Sequence, residues 1–508
     1  MSNFMPRRTP YKIQSNQLRR LLGRAAHTEW GQRFGFSHIA QQSDVIKAYQ
    51  SQVPIHTYED LKPFVDRIRA GEEDILWPGK IRHFAISSGT ASAGKVIPVS
   101  LDMLHMTRKF PLRLIKKYVR TTQSWTTFLG KHLALPGKVE QDPDHPGVLI
   151  GEVSGLQSLY APYIFRKFFR ALPPSVTYIS NWDSKLRTAV DLTLNQDIRL
   201  IAMVPTWAPV FFRLLIERYN EIHRSNISTV GEIWPNLNLY VSAGVALSSY
   251  RAILEEQIAL PNLHFLEAYG ASEGSFSCQT DLEDPAMQLL LDNGVFFEFI
   301  RMDDLGSENP ERLTIEHVQT NVRYAPVLTT ASGLWSYLLG DVIRFTNLSP
   351  PKILVAGRTS EMMDVYGEAV FGEEARHAIN QACNLTNSLM QEFHVSAIAP
   401  HGDTLPAHEW IIEFNRVPQD LKEFLRLLDT SLCDINIHYQ IRREGKAFRP
   451  PEVVIVPSGT FNAWLITSRG EITSQTKIPR MSNERNIACG VLNHAGEHAQ
   501  RIQVDEFL

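Results

Sequence analysis

Cysteine is scarce in this chain, which has four cysteines among its 508 residues. They lie far apart, at Cys278, Cys383, Cys433 and Cys489, and no C-x-x-C pair is present. This spacing excludes a dense disulfide framework and the common zinc and redox motifs. We therefore expect buried or incidental thiols in a reducing compartment.

A large excess of charge of either sign is also missing. The chain has 51 lysines and arginines and 54 aspartates and glutamates, which gives a formal net charge of −3 at pH 7. This balance excludes a basic nucleic-acid coat or an acidic tail as the main character of the protein, and we expect no nucleic-acid partner. The hydrophobic content of 44% is typical of a chain with a real core. At about 150 residues per domain, the length predicts about two to four domains.

Long hydrophobic runs are absent as well. The longest uncharged apolar stretch, residues 200–212, is broken by Pro205 and Pro209 and is shorter than the ~20 residues of a membrane span. It predicts a buried strand that leads into a loop and a helix. No apolar segment follows the first basic residues, so no secretory signal is predicted. We expect a cytoplasmic protein without a membrane partner, and a monomer by default.

The apolar periodicity predicts two lobes of unequal size, of which the first is an α/β lobe. Leu18, Leu21, Leu22 and Ala25 occupy one face of a helix. Short apolar runs then alternate with helical patterns, which is typical of an α/β lobe. These predicted strands lie at 82–86, 200–204, 237–241, 263–269 and 295–300.

A smaller α+β lobe is predicted towards the C-terminus. It contains short strand-like runs on either side of one helix-like segment. We assign residues 1–384 to a large N-terminal lobe and residues 385–508 to a small, mobile C-terminal lobe. The predicted strands of the small lobe are 393–399, 408–414, 435–441 and 453–456, and its predicted helix is 421–432.

Residues 89–95 fit G-x-x-x-x-G-K, the beginning of a Walker A loop. A Walker A loop leads into a helix, whereas Val96 and Pro98 favour a strand. The sequence therefore predicts a strand, a loop and a second strand. Such a loop can bind phosphate through backbone N–H groups and hydroxyls, although its composition fits an ordinary surface loop equally well. The hydroxyl-bearing residues are Ser87, Ser88, Thr90 and Ser92.

Two further motifs suggest hydrolytic enzymes. Residues 270–274 fit G-x-S-x-G, the nucleophile elbow of serine hydrolases, with Ser272 as the nucleophile. An elbow leads into a helix, but the next residues predict a loop, so a hydrolase is the weaker alternative. Residues 494–498 fit H-x-x-E-H of zinc proteases, but Gly496 weakens the helix and little sequence follows for a third ligand. A solvated C-terminal segment is favoured there.

Asp341 ends the strand-like run GLWSYLLGD. A carboxylate at the end of a strand can accept hydrogen bonds from the hydroxyls of a ribose, as in other nucleotide sites. The alternative is an ordinary turn aspartate.

The order of these motifs resembles that of acyl-adenylate-forming enzymes. More closely, the chain resembles the acyl-acid amido synthetases first known as the auxin-responsive Gretchen Hagen proteins of plants, and especially their bacterial relatives. The similar segments are VPIHTYEDLKPFVDRIRAGE at 53–72, SSGTASAGKVIPVS at 87–100, YGASEG at 269–274, FFEFI at 296–300, GLWSYLLGDVIRF at 333–345, AGR at 356–358, N-x-x-Y-x-x-x-R at Asn436, Tyr439 and Arg443, GTF at 459–461, and SQTKIPR at 474–480.

The resemblance implies an adenylate-forming fold and a two-step ligase reaction with ATP and Mg²⁺. A carboxylic acid attacks the α-phosphorus of ATP and pyrophosphate leaves; an amine, often an amino acid, then displaces AMP. Lys477 and Glu273 are the implied catalytic residues, and closure of the small lobe would bring Lys477 to the α-phosphate. The implied binding residues are Ser87, Ser88, Gly89 and Thr90 around the phosphates, Tyr269 beside adenine, Ser272 and Glu273 at the phosphate and magnesium, and Asp341 at the ribose with Arg358 nearby.

The chain departs from the family pattern at two places. Relatives often read GLYRYRLGD, whereas this chain has Ser336 and Leu339 and so lacks two arginines. Relatives also often have a Gly-Gly pair where this chain reads Ala-Gly-Val at 243–245. A catalytically weak small-molecule binder on the same scaffold is therefore a further alternative. By the same resemblance, Trp207 lies near the acyl site, although a core position is equally consistent with the sequence.

Overall fold

The computed structural model describes residues 9–87, 95–359, 361–366, 368–400, 405–469 and 477–502. These residues divide into two compact units. The larger unit comprises the described residues of Met1–Val245 and Glu256–Leu354, and the smaller comprises those of Ala246–Glu255, Val355–Ile472 and Thr476–Leu508. The lobe boundary that we placed between residues 384 and 385 stays a prediction.

The larger unit begins with helices that cover its main core. The predicted helix is confirmed, because Leu18, Leu21, Leu22 and Ala25 are all buried on α1. The last of the five helices is fixed at its start by Asp60, whose carboxylate accepts a hydrogen bond from the Thr57 backbone at 2.7 Å. The helices are α1 (Pro10–Ala25), α2 (Glu29–Arg33), α3 (Phe36–Gln41), α4 (Val45–Gln52) and α5 (Tyr58–Arg69).

Strands and helices then alternate, which confirms the predicted α/β character of this part of the chain. The strands are β1 (His83–Ile86), β2 (Val96–Pro98), β3 (Lys131–Ala134), β4 (Val139–Gln141), β5 (Leu149–Gly151), β6 (Ile198–Ala202), β7 (Leu239–Ala243), β8 (His264–Ala271), β9 (Gly274–Gln279), β10 (Met287–Leu289), β11 (Val295–Arg301), β12 (Arg323–Thr330), β13 (Tyr337–Leu338), β14 (Asp341–Leu348) and β15 (Pro351–Arg358). The helices are α6 (Leu101–Thr107), α7 (Lys109–Thr122), α8 (Val153–Leu159), α9 (Trp182–Thr193), α10 (Ala208–His223), α11 (Val230–Ile233) and α12 (Arg251–Ile258).

These strands form two sheets. The smaller has the order β2-β1-β5-β4, and the larger has the order β11-β12-β14-β15-β10-β9-β8-β7-β6-β3, with β13 also paired to β12. Strands β3, β6, β7 and β8 are parallel neighbours. Their carboxyl ends therefore share one sheet edge, which is where open α/β sheets bind ligands.

The smaller unit is an α+β structure around one mixed sheet, as predicted. Its sheet has the order β19-β16-β17-β18-β20. The predicted strands at 393–399, 408–414 and 453–456 and the predicted helix at 421–432 are confirmed. The elements are α13 (Gly372–Leu385), β16 (Leu389–Ile398), β17 (Ala407–Arg416), α14 (Leu421–Ile435), α15 (Ile437–Glu444), β18 (Glu452–Val456), α16 (Thr460–Arg469), β19 (Met481–Ser482), α17 (Asn486–Ala495) and β20 (Gln500–Ile502).

The strand predicted at 435–441 is wrong, because these residues end α14 and begin α15. Asn436 starts α15 by accepting a hydrogen bond from the Tyr439 backbone N–H at 2.8 Å. Asp429 then accepts hydrogen bonds from the Tyr439 hydroxyl at 2.8 Å and from the Arg443 guanidinium at 2.7 Å. The N-x-x-Y-x-x-x-R spacing is therefore that of a capped helix.

Long apolar helices are absent from the described part of the chain. Within the ranges given above, no helix has the length and the hydrophobicity that are needed to cross a membrane. The apolar stretch at 200–212 forms part of β6 and the first turns of α10, as predicted.

Candidate active site

The G-x-S-x-G segment forms a tight turn between two antiparallel strands. Ala271 of β8 pairs with Gly274 of β9, so Ser272 and Glu273 form the turn, and both are buried. Gly270 permits this close approach, because a Cβ atom there would lie 2.8 Å from the Gly274 carbonyl oxygen. The loop predicted after the motif is wrong, since β9 follows. A nucleophile elbow requires a helix at this point, so the structure contradicts that interpretation of Ser272.

Glu273 is a buried carboxylate with an unusual protonation equilibrium. Its residue surface is 6% exposed, and burial raises its pKa to about 7. The charge of Asp341 contributes to this increase, whereas a backbone hydrogen bond, the charge of Lys95 and a hydrogen bond with Tyr337 act against it. A second carboxylate, Asp341, thus acts electrostatically on the buried Glu273, an arrangement that favours binding of a cation.

Lys95 and Tyr337 complete the surroundings of Glu273. The Lys95 ammonium donates a hydrogen bond to the Tyr337 hydroxyl at 3.3 Å and lies 5.7 Å from the ring centroids of both Tyr58 and Tyr337. The Tyr58 hydroxyl accepts a hydrogen bond from the Val96 backbone N–H at 2.9 Å. Burial and the charge of Glu273 raise the pKa of Tyr337 well above its ordinary value, so this hydroxyl keeps its proton. The sequence motifs predicted no role for Lys95 or Tyr337.

Tyr269 and Asp341 meet although 72 residues separate them in sequence. The Tyr269 hydroxyl donates a hydrogen bond to Asp341 Oδ2 at 2.6 Å. Asp341 lies at the first position of β14, not at the end of a strand as predicted. Gly340, just before it, has φ = +89°, a left-handed conformation that favours glycine and turns the chain into β14.

The predicted phosphate loop lies only partly within the described residues. Ser87 follows β1, and its backbone N–H donates to the Lys95 carbonyl oxygen at 2.9 Å. Strand β2 begins directly after Lys95 and pairs antiparallel with β1, so the segment is not a Walker A loop. Ser88, Gly89 and Thr90 lie outside the described residues.

Arg358 and Lys477 belong to the smaller unit. With Arg376 and Arg480, they surround Glu361, whose pKa is raised by burial and lowered by these four cations, with burial the larger effect. The two basic residues that the resemblance assigns to the nucleotide site therefore lie in one group of cations.

The backbone that carries Lys477 is anchored to β16. The Pro479 carbonyl oxygen lies 2.7 Å from His394 Nδ1, and the Arg480 carbonyl oxygen accepts a hydrogen bond from the Val395 N–H at 2.8 Å. The buried Arg480 guanidinium donates to the Tyr250 hydroxyl at 2.9 Å and forms an ion pair with Glu392. These contacts fix the chain direction within three residues of Lys477.

The H-x-x-E-H motif does not form a metal site in the structure. Helix α17 ends at Ala495, and Gly496 has φ = +55°. His494 Nδ1 lies 2.9 Å from the Gly490 carbonyl oxygen of its own helix. No group of three or more histidine, cysteine, aspartate or glutamate side chains in the described ranges is arranged to hold a metal ion.

Ser336, at one of the two positions where an arginine is missing, is buried and contacts Arg312. The Ser336 residue is fully buried with φ = +47°, and its hydroxyl oxygen accepts a hydrogen bond from Arg312 Nη1 at 2.7 Å. Arg312 Nε also lies 3.5 Å from Glu298 Oε1. Ser336 thus meets a guanidinium supplied by another segment. In the Ala-Gly-Val segment at 243–245, Gly244 has φ = +86°, a left-handed conformation that favours glycine.

We expect Glu273→Gln to stabilise the larger unit at pH 8 but not at pH 5. An acid whose pKa is raised on folding stabilises the folded state while the acid is protonated. This stability is lost as the pH increases from the unfolded pKa of about 4.5 to the folded pKa of about 7. The loss is on the order of 3 kcal/mol at most, and glutamine avoids it. Chemical denaturation at both pH values measures the difference. The exposed Glu217→Gln is the control, and a pH-independent effect of Glu273→Gln would contradict the assignment.

Models of three parts of one family match the chain in order. They are the GH3 family N-terminal domain at residues 6–158, the GH3 family central domain at 288–358 and the GH3 family C-terminal domain at 373–486.

Curated relatives align over most of their length. The 4-substituted benzoates-glutamate ligase GH3.12 of Arabidopsis thaliana is 23% identical, and the alignment covers 92% of each chain. The indole-3-acetic acid-amido synthetase GH3.3 of the same plant is 23% identical over 92% of this chain and 89% of its own. The jasmonoyl-L-amino acid synthetase JAR4 of Nicotiana attenuata is 23% identical over 94% of this chain and 92% of its own.

Solved structures share the fold. The AtGH3.15 acyl acid amido synthetase in complex with 2,4-DB aligns with a TM-score of 0.78 at 18% identity, over 98% of this chain and 96% of that one. A 2-hydroxyisobutyryl-CoA ligase in the postadenylation state with 2-HIB-AMP aligns with a TM-score of 0.60 at 13% identity, over 96% and 92%. The fold is that of acyl acid amido synthetases and adenylate-forming ligases. The three family models together match more than half of the sequence and confirm the resemblance inferred from its motifs: the chain belongs to the GH3 family.

Proposed function

We propose that the protein is an ATP-dependent acyl-acid amido synthetase, which adenylates a small carboxylic acid and transfers the acyl group to an amine such as an amino acid. The observation that carries this proposal is the group formed by Glu273, Asp341, Tyr269, Lys95 and Tyr337, in which Glu273 and Tyr337 are buried. Curated relatives that align over most of the chain are named as ligases or synthetases, two of them with glutamate or an L-amino acid in the name.

In the first step, a carboxylate oxygen attacks the α-phosphorus of ATP and pyrophosphate leaves. This chemistry depends mainly on positioning and on neutralisation of charge. In our proposal, Asp341 accepts hydrogen bonds from the ribose hydroxyls, and Tyr269 both lies against adenine and orients Asp341. Ser272 and the loop residues Ser87, Ser88, Gly89 and Thr90 hold the phosphates. Arg358 lies near the ribose, and Lys477 supplies a point charge at the α-phosphate.

Glu273 is suited to a magnesium ion that accompanies ATP. Mg²⁺ is commonly held by one or two carboxylates together with substrate phosphates, so a larger cluster of protein ligands is not required. Burial and the neighbouring Asp341 raise the pKa of Glu273 to about 7, and a bound cation would offset both effects. When bound, Mg²⁺ neutralises phosphate charge.

In the second step, an amine attacks the carbonyl carbon of the acyl-adenylate. A new C–N bond forms, the bond between the carbonyl carbon and the phosphate oxygen breaks, and AMP leaves with that oxygen. The amine loses a proton, and the products are an amide and AMP. Lys477 is needed for the first step in this scheme, so movement of the smaller lobe between the steps is part of the proposal.

Both alternatives from the sequence are less well supported. A serine hydrolase would need a helix after Ser272, and β9 is found instead. A non-catalytic binder was suggested by the arginines missing at Ser336 and Leu339. In this chain Arg312 brings a guanidinium to Ser336, which weakens that argument.

We expect Mg·ATP to raise the melting temperature of the wild type and not that of Asp341→Ala. A ligand at about 100 times its Kd adds about 2.7 kcal/mol to the free energy of unfolding. Asp341→Ala removes the proposed ribose acceptor, whereas the exposed Asp303→Ala is a control that should keep the shift. No shift for the wild type at millimolar Mg·ATP would contradict the nucleotide site. Acid-dependent pyrophosphate release and amide formation then test the two steps.

A further inference from the structure

A buried lysine lies at the ligand-binding edge of the large sheet. Lys185 of α9 is fully buried. Within the described residues it forms no ion pair, and its one hydrogen bond goes from Nζ to the Pro136 carbonyl oxygen at 3.2 Å. Its ammonium also lies 5.7 Å from the ring centroid of Trp182. An ammonium has three N–H donors, and burying it beside one neutral acceptor is unfavourable unless an anion joins it.

The immediate surroundings of Lys185 are charged as well. Glu152 is buried, and its carboxylate accepts a hydrogen bond from the Lys138 backbone N–H at 3.4 Å. A side chain at Gly137 would overlap Glu152, so this glycine permits the packing. Burial lowers the pKa of Lys185 to about 8, while the charge of Glu152 raises it and that of Lys138 lowers it. Lys138 also forms an ion pair with Glu140 at 2.9 Å, so its charge is already balanced by a carboxylate.

Three polar groups, on Trp182, Thr206 and Trp207, lack partners among the described residues. Trp182 and Trp207 pack edge to face with ring centroids 5.0 Å apart. Trp182 Nε1, Trp207 Nε1 and Thr206 Oγ1 are buried and have no hydrogen-bond partner in the described part of the chain. Buried donors of this kind are normally satisfied by protein, water or ligand. The Trp182 ring also lies beside the Lys185 ammonium, so a ligand that joins these groups would be an anion with several acceptor atoms.

The position of these residues relates them to the candidate active site. Pro136 follows β3 and Thr206 follows β6, at the same sheet edge as the turn that holds Glu273 after β8. Neighbouring strands lie about 4.8 Å apart, so two to three strand spacings separate the regions by about 10 to 14 Å. A small acid of that length can reach from one to the other.

We infer that Lys185, Thr206, Trp182 and Trp207 form a binding site for a substrate carboxylate other than the one that is adenylated. This inference rests on the proposed function. The carboxylate belongs either to the far end of the acid or to the amino acid that accepts the acyl group. The separation of about 10 Å favours the far end of the acid, since the attacking amine and its own carboxylate lie close together.

Equilibrium binding of two ligand series tests the site. One series pairs linear dicarboxylates, from succinate to sebacate, with monocarboxylates of equal length. The other pairs glycine, alanine and glutamate with their α-carboxamides. The proteins are the wild type, Lys185→Met, Thr206→Val and the exposed Lys47→Met as control. Melting temperatures verify that each variant folds, and Thr206→Val keeps the test valid if Lys185→Met does not.

We expect the wild type and Lys47→Met to bind a dicarboxylate at least tenfold more tightly than its matched monocarboxylate. Lys185→Met should lose this preference, and Thr206→Val should reduce it severalfold. Loss confined to the amino acid series would instead assign the site to the accepting amine. If no carboxylate in either series binds more tightly to the wild type than to Lys185→Met and Thr206→Val, the inference is wrong.

Pyrophosphate release measured on the same proteins separates this inference from the proposed function. If carboxylate binding depends on Lys185 but no acid causes pyrophosphate release, the proposed ligase function is wrong and the carboxylate site stands. If pyrophosphate is released but the preference for dicarboxylates does not depend on Lys185, the carboxylate site is wrong and the proposed ligase function stands.

Discussion

Lys477→Met is expected to lower the rate of acid-dependent pyrophosphate release by about 100- to 1,000-fold, as the loss of one preorganised charge at a transition state commonly does. The α-phosphorus gains negative charge on its oxygens as the acid attacks, and an ammonium stabilises that charge. Methionine keeps the length and apolar character of the side chain but removes the charge. Lys477→Arg should retain part of the activity because it keeps the charge.

The structure gives a reason to expect a local effect. The backbone of residues 479 and 480 is bonded to His394 and Val395, and the Arg480 side chain is bonded to Tyr250. Replacement of the Lys477 side chain leaves these contacts in place. The exposed Lys422→Met is the matched control in the same unit, and its rate should equal that of the wild type. Full pyrophosphate release by Lys477→Met, with a normal melting temperature, would contradict the assigned role.

Glu273→Gln is expected to lower the same rate by about 100-fold or more and to raise the Mg²⁺ concentration that is needed for half-maximal activity. The substitution keeps the size of the side chain and removes the carboxylate that we assign to the metal and phosphate. Because glutamine avoids the cost of a buried charge, the variant should fold normally and be more stable at pH 8. A variant that is more stable and less active identifies a residue that is kept for function.

The measurement is the rate of pyrophosphate release as a function of Mg²⁺ concentration. Glu217→Gln, on the exposed face of α10, should follow the wild-type curve. If Glu273→Gln follows that curve too, Glu273 has no role at the metal or phosphate, and its burial is only structural.

Much of the fold could be predicted because apolar periodicity is local. The four apolar positions of α1 and the short runs that became β6, β7 and β8 are readable within a few residues. Strand β9 was missed because its serine-rich sequence resembles a loop. It is nevertheless paired on both sides, with β8 and β10, and those pairings satisfy its backbone.

The strand that was wrongly predicted at 435–441 shows how a helix-capping residue competes with an alternating apolar pattern. Ile435, Ile437 and Ile441 suggest alternation, but Ile437 and Ile441 are 59% and 56% exposed in the structure. The informative residue was Asn436, a good helix N-cap, with Tyr439 placed to donate its backbone N–H. A capping signal therefore outweighed an apolar pattern.

The candidate site depended on contacts that the sequence does not show. The resemblance supplied Tyr269, Glu273 and Asp341, and the structure brings these three together. Lys95 and Tyr337 had no assigned role, because their contact spans 242 residues and follows only from the packing of the two segments. The raised pKa of Glu273 likewise results from burial, which no local motif reveals.

The central claim is that the protein activates a carboxylic acid as an acyl-adenylate, and the fate of a carboxylate oxygen tests it most directly. The wild type would be incubated with Mg·ATP, an amino acid mixture and a panel of carboxylic acids labelled with ¹⁸O in the carboxyl group, including benzoates and indole-3-acetate. Mass spectrometry of the nucleotide product then follows the label. The account predicts amide formation with one ¹⁸O atom transferred from the acid to AMP. Amide formation with unlabelled AMP, or no acid-dependent AMP with any member of the panel, would contradict it.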